Sequence, residues 1–370
     1  MEKKRIVSLD IVKGIAMLMV ILVHYNQSFT SNITFFKYFQ MGCQLFFVAS
    51  GFGIAKTFYK KLEKSSYKQV IKDFYTSRVR GIAPAWWIMI AVVYLANTIS
   101  LCFFKTTLNF GTNRSFMGIL CNVLFLNGFI PTCNNNVIHG GWYIGTTMIL
   151  YLIAPLLLML FSKFRKKLIC AIISLLSLLS IIGLYCIAKF FFPASINFVT
   201  GNNSFIYFSF VAQLPSFALG ILLYHENQIK NNDKNQYKYF IMGTIIFILS
   251  IHLFFFPVFP LSYIVTGTLV GLATYYILKA MMIYERNHDF KKFAGIIVKF
   301  GNKSLYIYLV HAFFAYTFVS ICKRFLSYLG LVSDSYLIYI ILMPIVLALS
   351  FYFGCILNWF VNKVVSKIHK

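Results

Sequence analysis

The chain has 370 residues, 59% of them hydrophobic and only 12% charged, with a mean hydropathy of +0.76 and a formal net charge of +25. A soluble protein of this size carries charge on about a quarter of its residues, so the composition excludes a soluble fold and points to a polytopic membrane protein. The eight cysteines form no CxxC pair and no His/Cys spacing suited to zinc. No metal site is expected, and most cysteines should act as small apolar residues, although Cys121 and Cys133 could share one side of the membrane.

Ten apolar runs follow in chain order, at about 6–28, 41–59, 82–104, 142–161, 168–192, 205–224, 239–256, 261–283, 304–322 and 336–362. Most have the ~20 residues that cross the hydrocarbon. The first run is long and has no small-residue cleavage site, so it reads as a span rather than a signal peptide. An eleventh stretch, 116–131, is shorter and holds Asn122, Asn127 and Gly128; it reads as a re-entrant or interfacial segment.

Charge orients these spans. With the amino terminus in the cytoplasm, Lys37, Lys105, Arg114, Lys189, Lys323 and Arg324 fall outside or near the outer ends and Lys13 lies in the membrane, which leaves 27 of the 34 Lys and Arg inside. Every second loop is basic, as the positive-inside rule requires, so both termini are expected in the cytoplasm. The charge is then an orientation signal with some contact to anionic lipid, not a nucleic-acid surface. No internal repeat is visible, and the longest soluble piece is the loop 56–80. Residues 1–370 read as one all-α membrane domain with no soluble domain appended.

The first span carries Asp10, Lys13 and His24. Lys13 and His24 are eleven residues apart, about three turns and ~16 Å along the axis, and Asp10 lies within about 40° of the same face. Ionisable groups inside a membrane usually face a bundle interior or a water-filled path. His24 falls near the outer end, where a neutral imidazole could act as a general base; the plainer reading is an interfacial histidine with one partner. Asp10 could take a catalytic part or simply neutralise Lys13 or Arg5 at the cytoplasmic boundary.

Further along, Ser50-Gly51-Phe52 lies mid-helix and suits close helix packing. Arg78 and Arg80 precede Pro84 and form either a positive-inside flank or a basic mouth for a phosphorylated ligand. His139-Gly-Gly-Trp142-Tyr143 opens the fourth span at the outer surface: Trp142 and Tyr143 fit an aromatic belt, and His139 could line a site on the same side as His24. Ser304 through His311 opens the ninth span and puts His311 about 10 Å deep from the inside, where a buried imidazole needs a partner. No Walker loop, GxSxG elbow, HExxH or catalytic carboxylate pair is present, which excludes nucleotide hydrolysis and the common zinc hydrolases.

Taken in order, these pieces resemble acyltransferase family three, the integral membrane O-acyltransferases that acetylate sugars and polysaccharides. The likeness rests on Arg5-x3-Leu9-Asp10-x2-Lys13-Gly14-Ile15-Ala16 with His24, on Phe46-Phe47-Val-Ala-Ser50-Gly51-Phe52, and on Arg78 with Pro84. It continues through Trp142-Tyr-Ile with Tyr151-Leu-Ile-Ala-Pro155 and ends at Ser304 through His311. Three departures stand out. Lys13 replaces the usual arginine, the second arginine of an RxxR motif is shifted to Arg80, and Thr147 stands where many members have Glu. His139-Gly-Gly-Trp142 is similar to a subgroup's His-x-Trp, one residue longer.

The resemblance implies transfer of an acyl group, in the first instance acetyl, from cytoplasmic acyl-CoA to a hydroxyl of an extracytoplasmic sugar, polysaccharide or glycolipid, in a bacterial cytoplasmic membrane. Lys13, Arg78 and Arg80 would hold CoA, a co-substrate rather than a permanently bound cofactor. His24 would serve as base, with Asp10, His139 or His311 as further catalytic groups and Ser50 and Trp142 at the oxyanion or substrate. A second acyl-transfer step would need another protein. The competing class is a transporter or flippase of a polysaccharide or lipid-linked sugar, which ten spans and interior histidines would suit equally; the lack of visible repeats and of paired broken helices speaks against it.

Overall fold

The computed structural model describes residues 6–30, 32–104, 116–130, 133, 137–191, 205–228, 235–286, 288 and 290–368. Ten of its helical segments are long and apolar enough to cross a membrane, so the expected number of spans is met and the protein is multi-pass and all-helical. In chain order the helices are α1 (Val7–Asn26), α2 (Gly42–Leu62, entered through a 3-10 turn at Thr34–Met41), α3 (Tyr67–Phe104) and α4 (Phe116–Val123). There follow α5 (Gly141–Lys163), α6 (Lys166–Phe191), α7 (Phe210–Gln228), α8 (Gln236–Phe255), α9 (Ser262–Glu285) and α10 (Lys291–Asn302). Then come α11 (Ser304–Ala312), a π-helical turn (Phe313–Phe318), α12 (Val319–Tyr328) and α13 (Tyr336–Ile368). Arg5, Lys105 and Arg114 lie outside the described residues.

The chain divides into two compact units. The first comprises Met1–Val12, Cys43–Thr76 and Tyr143–Gly295. Within it α2 and α7 approach closely: a Cβ on Gly51 would stand 2.1 Å from the Phe217 carbonyl, and one on Gly220 would stand 2.1 Å from that of Val48. The small-residue reading of Ser50-Gly51 is therefore met at Gly51, where only a bare α-carbon fits. Three tyrosine hydroxyls donate to carbonyls of α5: Tyr59 to Leu158 at 2.6 Å, Tyr67 to Pro155 at 3.4 Å and Tyr75 to Leu152 at 2.7 Å. These contacts also correct the expected loop at 56–80. Helix α2 runs to Leu62 and α3 already begins at Tyr67, because aromatic anchoring rather than hydropathy holds the polar first turns of α3.

Two carboxylates organise the rest of this unit. Glu285 accepts the backbone N–H groups of Val7 at 2.6 Å and Ser8 at 3.0 Å, so it caps the start of α1, where a negative charge meets unpaired donors and the positive end of the helix dipole. Glu226 takes the Tyr275 hydroxyl and the Lys279 ammonium, the latter at 2.7 Å, and lies 3.8 Å from Lys167.

The second unit comprises Lys13–Gly42, Ser77–Trp142 and Ile296–Lys370. Helix α4 has only eight residues, about 12 Å, too short to span a bilayer. Its last carbonyls are taken by two indoles of α3, Trp86 to Asn122 at 2.8 Å and Trp87 to Val123 at 2.9 Å. Residues 116–130 are thus a short helix followed by turns. None of the eight cysteines is in a disulfide among the described residues.

Candidate functional site

Three of the histidines singled out in the sequence meet in the second unit. The His24 and His311 ring centroids are 5.2 Å apart, and His139 lies 5.1 Å from the Tyr316 ring, itself 5.5 Å from His24. The meeting of His24 and His311 corrects the expected depth of His311. Counting from Ser304 put it about 10 Å from the inner surface, well below His24. Helix α10, which precedes this span, packs on α1: a Cβ on Gly14 would clash with the Ile297 carbonyl at 2.0 Å. From that crossing His24 lies ten residues further along α1, about 15 Å, and His311 fourteen residues further along the chain.

The hydrogen bonds around the two rings fix which nitrogen is available. His24 Nδ1 lies 2.6 Å from the Tyr316 hydroxyl and 3.2 Å from Gln27 Oε1. The Tyr316 hydroxyl donates to the same Gln27 oxygen, so its own oxygen is left to accept from His24. Both neighbours are therefore satisfied when Nδ1 carries the proton. Nε2 then keeps its lone pair, and it has no hydrogen-bond partner among the described residues. His311 repeats the pattern. Its Nδ1 donates to the Tyr308 carbonyl, while its Nε2 is buried without a partner. Buried polar atoms are almost always paired, so a bare imidazole nitrogen in a fully buried residue is an acceptor waiting for a ligand's proton.

Tyr308 ties this pair to the loop that carries His139. Its hydroxyl donates to the Gly140 carbonyl at 2.8 Å. Gly140 has φ of +82°, a left-handed conformation that a residue with a Cβ adopts only under strain, and a Cβ there would press on the Tyr308 hydroxyl at 3.0 Å. His139 is half-buried, and burial pushes its imidazole below the ordinary value, which keeps it neutral.

Sequence reasoning missed Tyr316, Gln27 and Tyr308. Tyr316 follows His311 by five residues, which in an α-helix would leave the two about 140° apart. The wider π turn over Phe313–Phe318 brings both toward His24, the kind of local distortion that recurs at functional sites. The Ser28 hydroxyl pins this turn to the end of α1, donating to the Ala315 carbonyl at 2.7 Å. The wall formed by Gln27, Ser28 and Tyr316 opens on a polar cavity of about 520 Å³, continued along α12 by Ser320, Lys323 and Arg324.

The other candidates are not part of this gathering. Lys13, half-buried, stands about 16 Å below His24 on α1. Arg78 is half-buried and Arg80 exposed on α3, in the same unit. Trp142 is buried at the first turn of α5 rather than standing at an aromatic belt. Asp10, also buried, and Ser50 belong to the first unit, where Ser50 and Thr147 flank the Tyr143 hydroxyl.

Fold and site together define a multi-pass helical membrane protein with a histidine-centred polar site beside a hydrophilic cavity. The model of acyltransferase family three, described as an acyltransferase domain, matches residues 6–359, and the chain belongs to that family. Among curated proteins it is similar to the peptidoglycan O-acetyltransferase OatA of Listeria monocytogenes, 29% identical over 188 residues, covering 48% of this chain and 28% of that protein. It is also similar to the regulator of hypoxia-inducible factor 1 of Caenorhabditis elegans, 28% identical over 140 residues, covering 34% of this chain and 24% of the other. A further similarity, to an uncharacterized Haemophilus influenzae protein, is 28% over 194 residues and covers 49% of this chain and 74% of the other. The chain thus spans about a quarter of the first two relatives. No solved structure matches it.

Proposed function

We propose that this protein is an integral membrane O-acyltransferase. In this reading it moves an acyl group, acetyl in the simplest case, from acyl-CoA at the cytoplasmic face to a hydroxyl of a sugar, polysaccharide or glycolipid on the other face. The observation that carries the reading is the imidazole pair: among the described residues His24 and His311 each have Nδ1 engaged and Nε2 bare, and the Tyr316 and Gln27 that hold His24 also line a polar cavity. A hydroxyl is a poor nucleophile until its proton is taken, and a neutral imidazole is a suitable base near pH 7.

The step balances simply. His24 Nε2 removes the hydroxyl proton as the oxygen attacks the thioester carbonyl, and collapse of the tetrahedral adduct expels the CoA thiolate, which recovers the proton. The product is an O-ester and free CoA. The imidazolium formed at His24 is steadied by Tyr316 and Gln27, which already accept from Nδ1. His311, whose ring lies 5.2 Å away, would pass the proton onward. Lys13, Arg78 and Arg80 would meet the CoA phosphates, guanidinium forks binding phosphate more strongly than lysine.

The test is reconstitution of the full chain in sealed proteoliposomes with labelled acetyl-CoA inside and a mixed cell-envelope glycan outside. The reading expects ester-linked label on the glycan with one CoA released per ester. Movement of unmodified glycan across the bilayer with no thioester consumed, for acetyl-CoA and longer acyl-CoA donors alike, would overturn it in favour of transport.

A further inference from the structure

The cavity beside Tyr316 carries an unbalanced positive charge, and this bears on what the acceptor must look like. Tyr316, Ser320, Lys323, Arg324 and Ser327 recur at helical spacing, so α12 continues the π turn with one polar face directed into the cavity. Lys323 is already occupied. Its ammonium lies 3.1 Å from Asp334, donates to the Ser28 carbonyl at 3.0 Å and sits 4.8 Å above the Phe29 ring. Asp334 is held in turn by the backbone N–H and hydroxyl of Thr30. Burial alone would raise this carboxyl, but the Thr30 and Lys323 contacts hold it below the usual carboxylate range.

That ion pair exhausts the acid supply. Asp334 is the only Asp or Glu anywhere in the three segments of this unit, so nothing within the unit can neutralise Arg324, which lines the same cavity. Its guanidinium presents a fixed fork that suits a carboxylate or a phosphate. The remaining wall consists of hydroxyls and an amide, which suit sugar hydroxyls, and the volume of about 520 Å³ is typical of a small-molecule site.

We propose that this cavity takes an acceptor sugar or polyol bearing an anionic group, a carboxylate or a phosphate, which is seated on Arg324 while the hydroxyl to be acylated is turned toward His24. The assignment rests on the acyl-transfer reading above. Pairing of Lys323 with Asp334 leaves Arg324 as the selective charge, and Ser327, which also lines the cavity, is bonded to Ser333 at 2.8 Å.

The experiment measures both binding and transfer with the full chain in neutral phosphatidylcholine nanodiscs, using three probes: methyl glucoside, methyl glucuronide and glucose 1-phosphate. Wild type should favour the two anionic probes over the neutral one by about tenfold, the scale of one charge-assisted hydrogen bond. Arg324→Gln should bring all three to the neutral level, and Arg324→Lys should keep part of the preference. Comparison of the carboxylate and phosphate probes identifies which anion the site takes. Equal affinity of wild type for charged and neutral probes would overturn the proposal, as would an Arg324→Gln effect that is absent or the same for all three. If phosphatidylglycerol removes the preference by an Arg324-dependent competition, the site holds a lipid headgroup and the acceptor proposal falls. Failure of acyl transfer is a separate outcome: anion-selective binding without any ester product leaves the anion site standing and refers the acyl-transfer reading to the proteoliposome test above, whereas esterification blind to charge would sink the anion site and keep acyl transfer.

Discussion

Each unit holds histidines and charged groups away from water, and the two treat them in opposite ways. In the first unit Glu226 collects a tyrosine hydroxyl and two lysines. In the second, the imidazoles of His24 and His311 are anchored through one nitrogen and left bare at the other. Saturated polar groups rigidify a fold, whereas a half-satisfied group costs stability and is kept where a ligand completes it. The first cluster therefore reads as structure and the second as chemistry.

If that contrast is right, mutations in the two clusters should separate stability from turnover. The largest effect on folding is expected from Glu226→Ala, which leaves the Lys279 ammonium and the Tyr275 hydroxyl without their acceptor. We expect a loss of about 3 kcal/mol, read as a lower thermal unfolding midpoint, with kcat per folded molecule unchanged. Gly51→Val should follow at about 2 kcal/mol, since its side chain would enter the space of the Phe217 carbonyl; the same melting experiment measures it.

In the second unit the order should invert. Tyr316→Phe removes the hydroxyl that links His24 to Gln27 and should lower kcat about tenfold with little change in KM or in melting temperature, the expected cost of loosening a base's orientation. An equal change in stability would make Tyr316 a packing residue and blur the contrast. The smallest effect concerns His139. Its folded-state pKa is depressed by burial, so the unfolded chain binds the proton first as pH falls below about 6.5. Stability from this group is complete above that value and is lost as pH falls through the folded-state pKa. His139→Gln should flatten the acid side of the melting profile, and an unchanged slope would contradict the assignment.

The ten spans could be read from hydropathy because each is predominantly apolar, and their limits differ mainly where polar residues extend a helix. Helix α3 is the clearest case: Lys68, Lys72 and Asp73 hide its first turns from any hydropathy window, and only the tyrosine bonds to α5 carbonyls reveal why it starts at Tyr67. The candidate site was legible as separate histidines at 24, 139 and 311, each suspicious for its place in or beside a span. Their convergence was not legible. It depends on the tight approach of α10 to α1 at Gly14 and on a π turn that changes facing between His311 and Tyr316. Gln27 and Tyr316 carry no motif at all; they matter because together they decide which nitrogen of His24 holds the proton.

The central claim is that the bare Nε2 of His24 removes the acceptor's proton. The most direct measurement is acceptor-dependent CoA release by folded His24→Gln protein beside wild type in the same proteoliposomes, with folding checked by thermal melting. The account predicts a loss of about a hundredfold or more, the contribution of a positioned general base, at an unchanged melting temperature. Turnover within a fewfold of wild type in that variant would contradict it and leave His24 a structural residue.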